Sequence, residues 1–158
     1  MRLRSITRLS LSLLLCLGVG LLEGLVTRPE IPTWYAGLAK PFWTPPPPAF
    51  PIAWTLLYAL MAVSFWRLWD LETRSPARTK AMVWFLVQLA LNALWSPVFF
   101  GWHGTRTALA IIIALLLAIA AAMIAALRAD RLAAWLLAPY LLWVAYATTI
   151  NLGVVAMN

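Results

Sequence analysis

The sequence predicts an all-α integral membrane protein, a bundle of five transmembrane helices with a short helix in the first loop. Three observations carry that expectation. Apolar residues make up 64% of the 158 and charged residues only 11%, with a mean hydropathy of +0.87, whereas a soluble domain covers its outside with about 25% charged residues. Five stretches of this chain approach or exceed the roughly 20 mostly apolar residues that cross a bilayer. The Lys and Arg residues also fall unevenly, gathering in the loops that five crossings would place on one side.

The first span, residues 9–26, is leucine-rich with Glu23 as its only charge. Arginines ahead of a leucine-rich run, with Gly18, Val19 and Gly20 following, leave a cleaved signal peptide open as a second reading. The leucines before Cys16 argue against a lipoprotein site. The second span, 50–69, follows a proline run and has Pro51 in its first turn, where a missing N–H does no harm. The third, 81–100, has Pro97 near its end; the fourth, 107–127, is almost entirely Ala, Ile and Leu; the fifth, 132–156, contains Pro139 near its start and Asn151 toward its end. Hydrocarbon leaves no backbone group to water, and runs without period-two alternation fit helices and not a barrel. One domain over residues 1–158 is expected. The series Ala110, Ala114, Ala118, Ala122, Ala126 predicts a small-residue stripe, and Gly20 and Gly24 form a GxxxG; both favour contacts inside the bundle over a dimer seam.

Cations set the orientation. One side holds nine, Arg2, Arg4, Arg8, Arg67, Arg74, Arg78, Lys80, Arg128 and Arg131, and the other three, Arg28, Lys40 and Arg106. The positive-inside rule then puts the N-terminus in the cytoplasm and the C-terminus outside, if the membrane is a bacterial inner one. That placement accounts for a net charge of +7 and a pI near 10.6 with no nucleic-acid partner. A lone Cys16 and a lone His103 offer neither a disulfide framework nor a metal site. Asp70, Glu72 and Asp130 sit among loop arginines, where a solvated face is expected. No GxGxxG, phosphate loop or Ser/His/Asp set stands out, so no cofactor motif is read and enzyme chemistry has little support beyond a Trp-based or light-driven reaction.

The most unusual stretch is residues 34–50. Thr33 is a candidate N-cap for a short helix over Trp34–Ala39, which Lys40-Pro41 must end because the residue before proline is pushed out of helical geometry. The prolines at 45–48 then stiffen the chain. Such a loop reads as the lid or wall of a site, or else as an aromatic loop lying among headgroups. Inside the spans, Glu23, Gln88, Asn92, Thr148, Thr149 and Asn151 cost free energy unless they face the bundle interior or a partner. Helical spacing puts Gln88, Asn92 and Trp95 on one face, Trp143 and Ala147 with Ile150 or Asn151 on another, and Trp54, Tyr58 and Met61 on a third. Aromatics beside small or amide residues describe a flat, mostly apolar pocket with a few polar handles. The competing reading is amides that tie helices together and aromatics that fill a core.

The string Trp34-Tyr35, Leu38, Lys40-Pro41, Trp43, Pro45-Pro46, Phe50, Trp54, Leu57-Tyr58, Met61 resembles the TspO/MBR family, the tryptophan-rich sensory proteins and the mitochondrial translocator protein. So do Asn92, Trp95, Pro97 and Phe99-Phe100-Gly101, and then Pro139-Tyr140, Trp143, Ala147-Thr148 and Asn151. The resemblance implies a five-helix bundle, commonly a homodimer in the membrane lipid, that binds porphyrins (tetrapyrroles, haem-like ligands), sterols and benzodiazepine-site drugs and is linked to stress or tetrapyrrole regulation. Carried over by position, the ligand-binding residues would be Tyr35, Trp54, Asn92, Trp95, Trp143 and Ala147, under a lid of Trp34, Lys40, Pro41, Trp43, Pro45 and Pro46. An alternative implied by some relatives is light- or oxygen-dependent porphyrin degradation using Trp54 and Trp143. Mammalian members carry a sterol-recognition pattern with Tyr after the last-helix Asn and a basic residue beyond; here Leu152 follows Asn151 and no basic residue comes after it. The ten tryptophans divide accordingly: Trp66, Trp69, Trp84, Trp102 and Trp135 near span ends, Trp34 and Trp43 in the loop, and Trp54, Trp95 and Trp143 in the pocket.

Overall fold

A computed structural model describes residues 3–158; Arg2, counted above among the cations, lies outside them. Five helical segments are long and apolar enough to cross a membrane: Leu3–Glu30, Ala49–Asp70, Pro76–Gly101, Thr105–Leu127 and Arg131–Met157. Each contains or closely matches its expected span and extends past it where polar turns leave the hydrocarbon. The elements are α1 (Leu3–Glu30), α2 (Trp34–Gly37), α3 (Ala49–Asp70), α4 (Pro76–Ser96) with a π-helical turn at Pro97–Gly101, α5 (Thr105–Leu127), α6 (Arg131–Leu136) and α7 (Ala138–Met157).

Proline chemistry shapes two of the spans. Pro97 brings no N–H and its ring crowds the preceding turn, so the ladder widens and Trp102 N–H reaches the Pro97 carbonyl at 3.0 Å, five residues back. Pro139 likewise cannot follow from an unbroken helix, and the last span is interrupted at Leu137 into α6 and α7. Asp130 starts α6 as its N-cap, accepting from the amides of Leu132 and Ala133 at 2.9 and 3.1 Å, a motif worth about 1 kcal/mol.

Around the bundle the order is α3, α1, α4, α5 and α7, with α6 closing the circle onto α3. Ser64 on α3 donates to the Ala133 carbonyl of α6 at 2.7 Å, whereas α3 and α7 scarcely meet. Toward the first loop the two meet chiefly through aromatic side chains, which fill the cleft between them. The central core is built on Tyr58, Met61, Phe65, Phe85, Leu115, Ile119 and Tyr140. Gly20 of α1 lets the Tyr58 ring approach so closely that a Cβ there would stand 2.6 Å from it, while Gly24 faces open space; only the first glycine of the GxxxG makes an internal contact.

Several expectations are corrected. The short helix ends at Gly37, not Ala39, and Thr33 does not cap it; its hydroxyl donates back to the Pro29 carbonyl at 3.0 Å. The alanine stripe holds only in its second half: Ala118, Ala122 and Ala126 are buried, Ala110 and Ala114 exposed. A four-residue repeat advances about 40° per step on a helix of 3.6 residues per turn, so it cannot stay on one face for long. Nor are all the loop acids a solvated face. Asp70 accepts from Ser5 at 2.7 Å and pairs with Arg8 at 3.0 Å, and Asp130 pairs with Arg67 at 2.8 Å. Trp66, assigned to a belt, donates to the Ser5 carbonyl at 3.1 Å and stitches α3 to α1.

Candidate functional site

The cleft between α3 and α7 is filled by aromatic side chains from both walls. Phe50 meets Trp143 edge-on at 6.1 Å, and Trp54 meets Tyr140 edge-on at 6.2 Å and Tyr58 at 5.5 Å. The first turns of α3 place Phe50, Trp54 and Tyr58 one turn apart on a single face. Trp143 and Ala147 stand likewise on α7, both half-buried and packed on the central core. The Trp143 indole N–H is buried without a hydrogen-bond partner, a costly arrangement in an apolar site.

Asn92 lies at the head of a polar chain that crosses three helices. Its Nδ2 donates to the Tyr58 hydroxyl at 2.7 Å, and that hydroxyl donates to the Glu23 carboxylate at 2.6 Å. Glu23 is thus a member of the site that sequence reading noticed only as a charge in hydrocarbon. Its second oxygen, the Tyr140 hydroxyl and both polar atoms of Gln88 are buried and unpartnered. Trp95 belongs to a neighbouring group. It stacks on Phe99 at 4.9 Å and 19°, and its N–H donates to Asn151 at 3.2 Å, whose amide donates to the Thr105 carbonyl at 3.0 Å. Tyr35 packs against Phe99 and Phe100 in the same group, and burial pushes its phenol above the usual value of 10.0. The expected residues therefore fall into two adjoining clusters: Trp54, Trp143 and Ala147 in the cleft, Tyr35 and Trp95 beneath α2, with Asn92 buried and bonded to the cleft's Tyr58.

The lid is fastened to α7. Pro41 is buried against Gly153, where a Cβ would strike its ring. Trp43 donates from its indole to the Thr149 hydroxyl at 3.2 Å and accepts from the Tyr146 hydroxyl at its carbonyl. Ala39 exchanges two bonds with the Asn158 side chain at 3.1 and 3.0 Å. Lys40 does not face the cleft; its ammonium donates to the carbonyls of Tyr35 and Leu38 at 2.7 and 2.8 Å and sits 4.8 Å over the Tyr35 ring, closing off α2. Trp34 stacks on His103 at 4.1 Å and 13°; His103 holds a positive φ of 56° and pairs with Glu30 at 3.0 Å. Pro45 is half-buried and Pro46 exposed, and the Pro46 carbonyl accepts from Ala49 N–H at 3.0 Å to turn the chain into α3. Among the described residues no group of three His, Cys, Asp or Glu is placed to hold a metal.

The sequence that builds this site has relatives elsewhere. The family model described as TspO/MBR matches residues 12–157. The chain is 39% identical over 150 residues to a tryptophan-rich sensory protein of Cereibacter sphaeroides, covering 95% of this chain and 91% of that one. It is 37% identical over 154 residues to the tryptophan-rich protein TspO of Archaeoglobus fulgidus, covering 98% and 99%. Against the translocator protein of Homo sapiens it is 38% identical over 119 residues, covering 75% and 70%.

Proposed function

Since the chain belongs to the TspO/MBR family, we propose that this multi-pass membrane protein is a receptor or carrier for flat, largely apolar ligands, porphyrins first and sterols or benzodiazepine-site drugs second, bound between α3 and α7 under the first loop. The observation that carries this reading is the aromatic cleft itself. Trp54 and Trp143 supply broad π-faces from opposite walls, and a buried indole N–H has no protein partner. A tetrapyrrole replaces aromatic–aromatic contacts with its own ring faces and offers edge acceptors to the Trp143 N–H. Asn92 and Tyr58 then act as orienting groups at the floor, and residues 38–48 as the roof. The binding setting is tetrapyrrole or stress regulation.

The test is a titration of the purified protein with protoporphyrin in the dark, read by tryptophan fluorescence. Saturable quenching is expected, weakened about 3- to 10-fold in Trp54→Phe and in Trp143→Phe, the loss of one aromatic contact. Quenching that never saturates, or that is indifferent to both substitutions, removes the reading. A new tetrapyrrole product formed under light and lost in the same variants would instead make the protein a catalyst. We extend the reading to a homodimer with the N-terminus in the cytoplasm. Crosslinking in intact membranes that yields only monomer, or labelling of a cysteine near residue 4 from the outside, would remove those two parts.

A further inference from the structure

The geometry points to a second ligand site, a binding groove for one anionic phospholipid at the basic end of the bundle, between α4 and α5. A cavity of about 410 Å³ opens there on the flank of the protein. Lys80 and Trp84 of α4 form one wall, and Ala121, Ile124, Ala125 and Arg128 of α5 and its C-terminal cap form the other. The small side chains at 121 and 125, one helical turn apart, leave a furrow in the packed surface. Ile124 is 58% exposed and Trp84 42%, so the furrow is apolar and open to whatever surrounds the helices. Its lower part therefore suits an acyl chain, and Trp84, one turn inward of Lys80 on α4, gives that chain an aromatic wall.

The upper part has the opposite chemistry. Lys80 and Arg128 rim the groove, and among the described residues neither pairs with a carboxylate. Of the acids at this end, Asp70 holds Ser5 and Arg8, and Asp130 holds Arg67 and caps α6. Two cations left over a hydrocarbon furrow match a molecule that carries a phosphate on an acyl chain, the recognised chemistry of basic pockets between membrane helices. A soluble phosphate satisfies the rim and leaves the furrow empty, so a membrane phospholipid is the better occupant. A second copy of the chain fits poorly, because a two-fold contact centred on the groove would bring both copies' Lys80 and Arg128 together. The site is far from the cleft under the first loop and independent of what that cleft binds.

Native mass spectrometry of the full chain, released from micelles containing equal phosphatidylglycerol and phosphatidylcholine of the same acyl chains, tests the groove. The wild type is expected to retain phosphatidylglycerol roughly tenfold or more over phosphatidylcholine, the preference two interfacial cations give. The double variant Lys80→Gln, Arg128→Gln is expected to retain both lipids equally. Arg74→Gln, an exposed cation of the same end outside the groove, keeps the wild-type preference. Ala125→Leu, which fills the furrow and spares the charges, loses the retained lipid. Equal retention by the wild type, or a preference that survives the double variant, overturns the proposal. So does displacement of the lipid by millimolar inorganic phosphate, which would make the site a simple anion site. A disulfide between copies carrying Ala121→Cys in membranes also overturns it, and gives the groove to a second protomer.

Discussion

Replacing Gly153 with alanine tests whether the first loop is held by α7. A Cβ at this position would overlap the Pro41 ring, which is rigid and buried and cannot swing aside like a flexible side chain. Overpacking of this kind costs about 1–3 kcal/mol. The helix can accept the change easily, since alanine is better than glycine in a helix by up to about 1 kcal/mol. The loop therefore yields, and with it go the Trp43 indole bond to Thr149 and the Tyr146 bond to the Trp43 carbonyl. Opening of the loop should become easier by about 1–3 kcal/mol, roughly a 5- to 150-fold rise in local opening. Hydrogen exchange reads it directly. The amides of Ala39, bonded to Asn158, and of Thr44, bonded to the Pro41 carbonyl, should exchange roughly 5- to 150-fold faster, while those of α4 and α5 stay unchanged. Gly18→Ala is the control, because a Cβ there meets nothing within 4 Å. Loop amides that exchange at the wild-type rate in a folded Gly153→Ala protein would refute the fastening.

Tyr58→Phe strips the hydroxyl that joins Asn92 to Glu23, leaving both groups short of a partner; thermal unfolding in detergent should show a loss of about 1–3 kcal/mol, and an unchanged midpoint would mean water replaces the bond at no cost. Gly20→Ala should lower the midpoint whereas Gly24→Ala should not, since only the first Cβ strikes the Tyr58 ring; equal effects would break the pairing of α1 with α3 described above. For His103, glycine should be tolerated better than alanine by about 1 kcal/mol, because φ is 56° and both changes lose the Trp34 stack alike. Ala147→Thr adds bulk and a hydroxyl on the α7 wall and should weaken porphyrin binding in the fluorescence titration; unchanged affinity would take Ala147 out of the cleft.

Much of this architecture is written in short-range chemistry, and what is not depends on register between helices. Length and hydropathy suffice for the five spans, because a bilayer imposes one requirement on every segment. The faces carrying Trp54 with Tyr58, and Asn92 with Trp95, are also legible, since three- and four-residue spacing is a property of one helix. The partnership of Glu23 with Tyr58 is not, because 35 residues separate them and only the docking of α1 on α3 aligns their heights. Nor is the π-helical turn at Pro97–Gly101, where proline signals a break but not its form. Lys40 and Thr33 mislead for a simpler reason. Thr33 turns back to the Pro29 carbonyl at the end of α1 instead of capping α2, and Lys40, expected in the lid, turns back to the carbonyls of α2 and its flank.

The position of the cleft between α3 and α7 has a consequence for how concentration enters recognition. The outer faces of both cleft walls are apolar and exposed, with Ile52 at 72%, Leu56 at 60% and Leu142 at 70%, so the two helices that form the cleft border hydrocarbon. A ligand of the proposed site would then arrive from a two-dimensional solution in the bilayer. Every CH₂ that favours the bilayer by about 0.8 kcal/mol enriches the ligand roughly fourfold there before any contact with the protein is made. An affinity referred to the aqueous concentration would therefore mix partitioning with fit, and ranking ligands by what the protein itself contributes requires counting them per lipid.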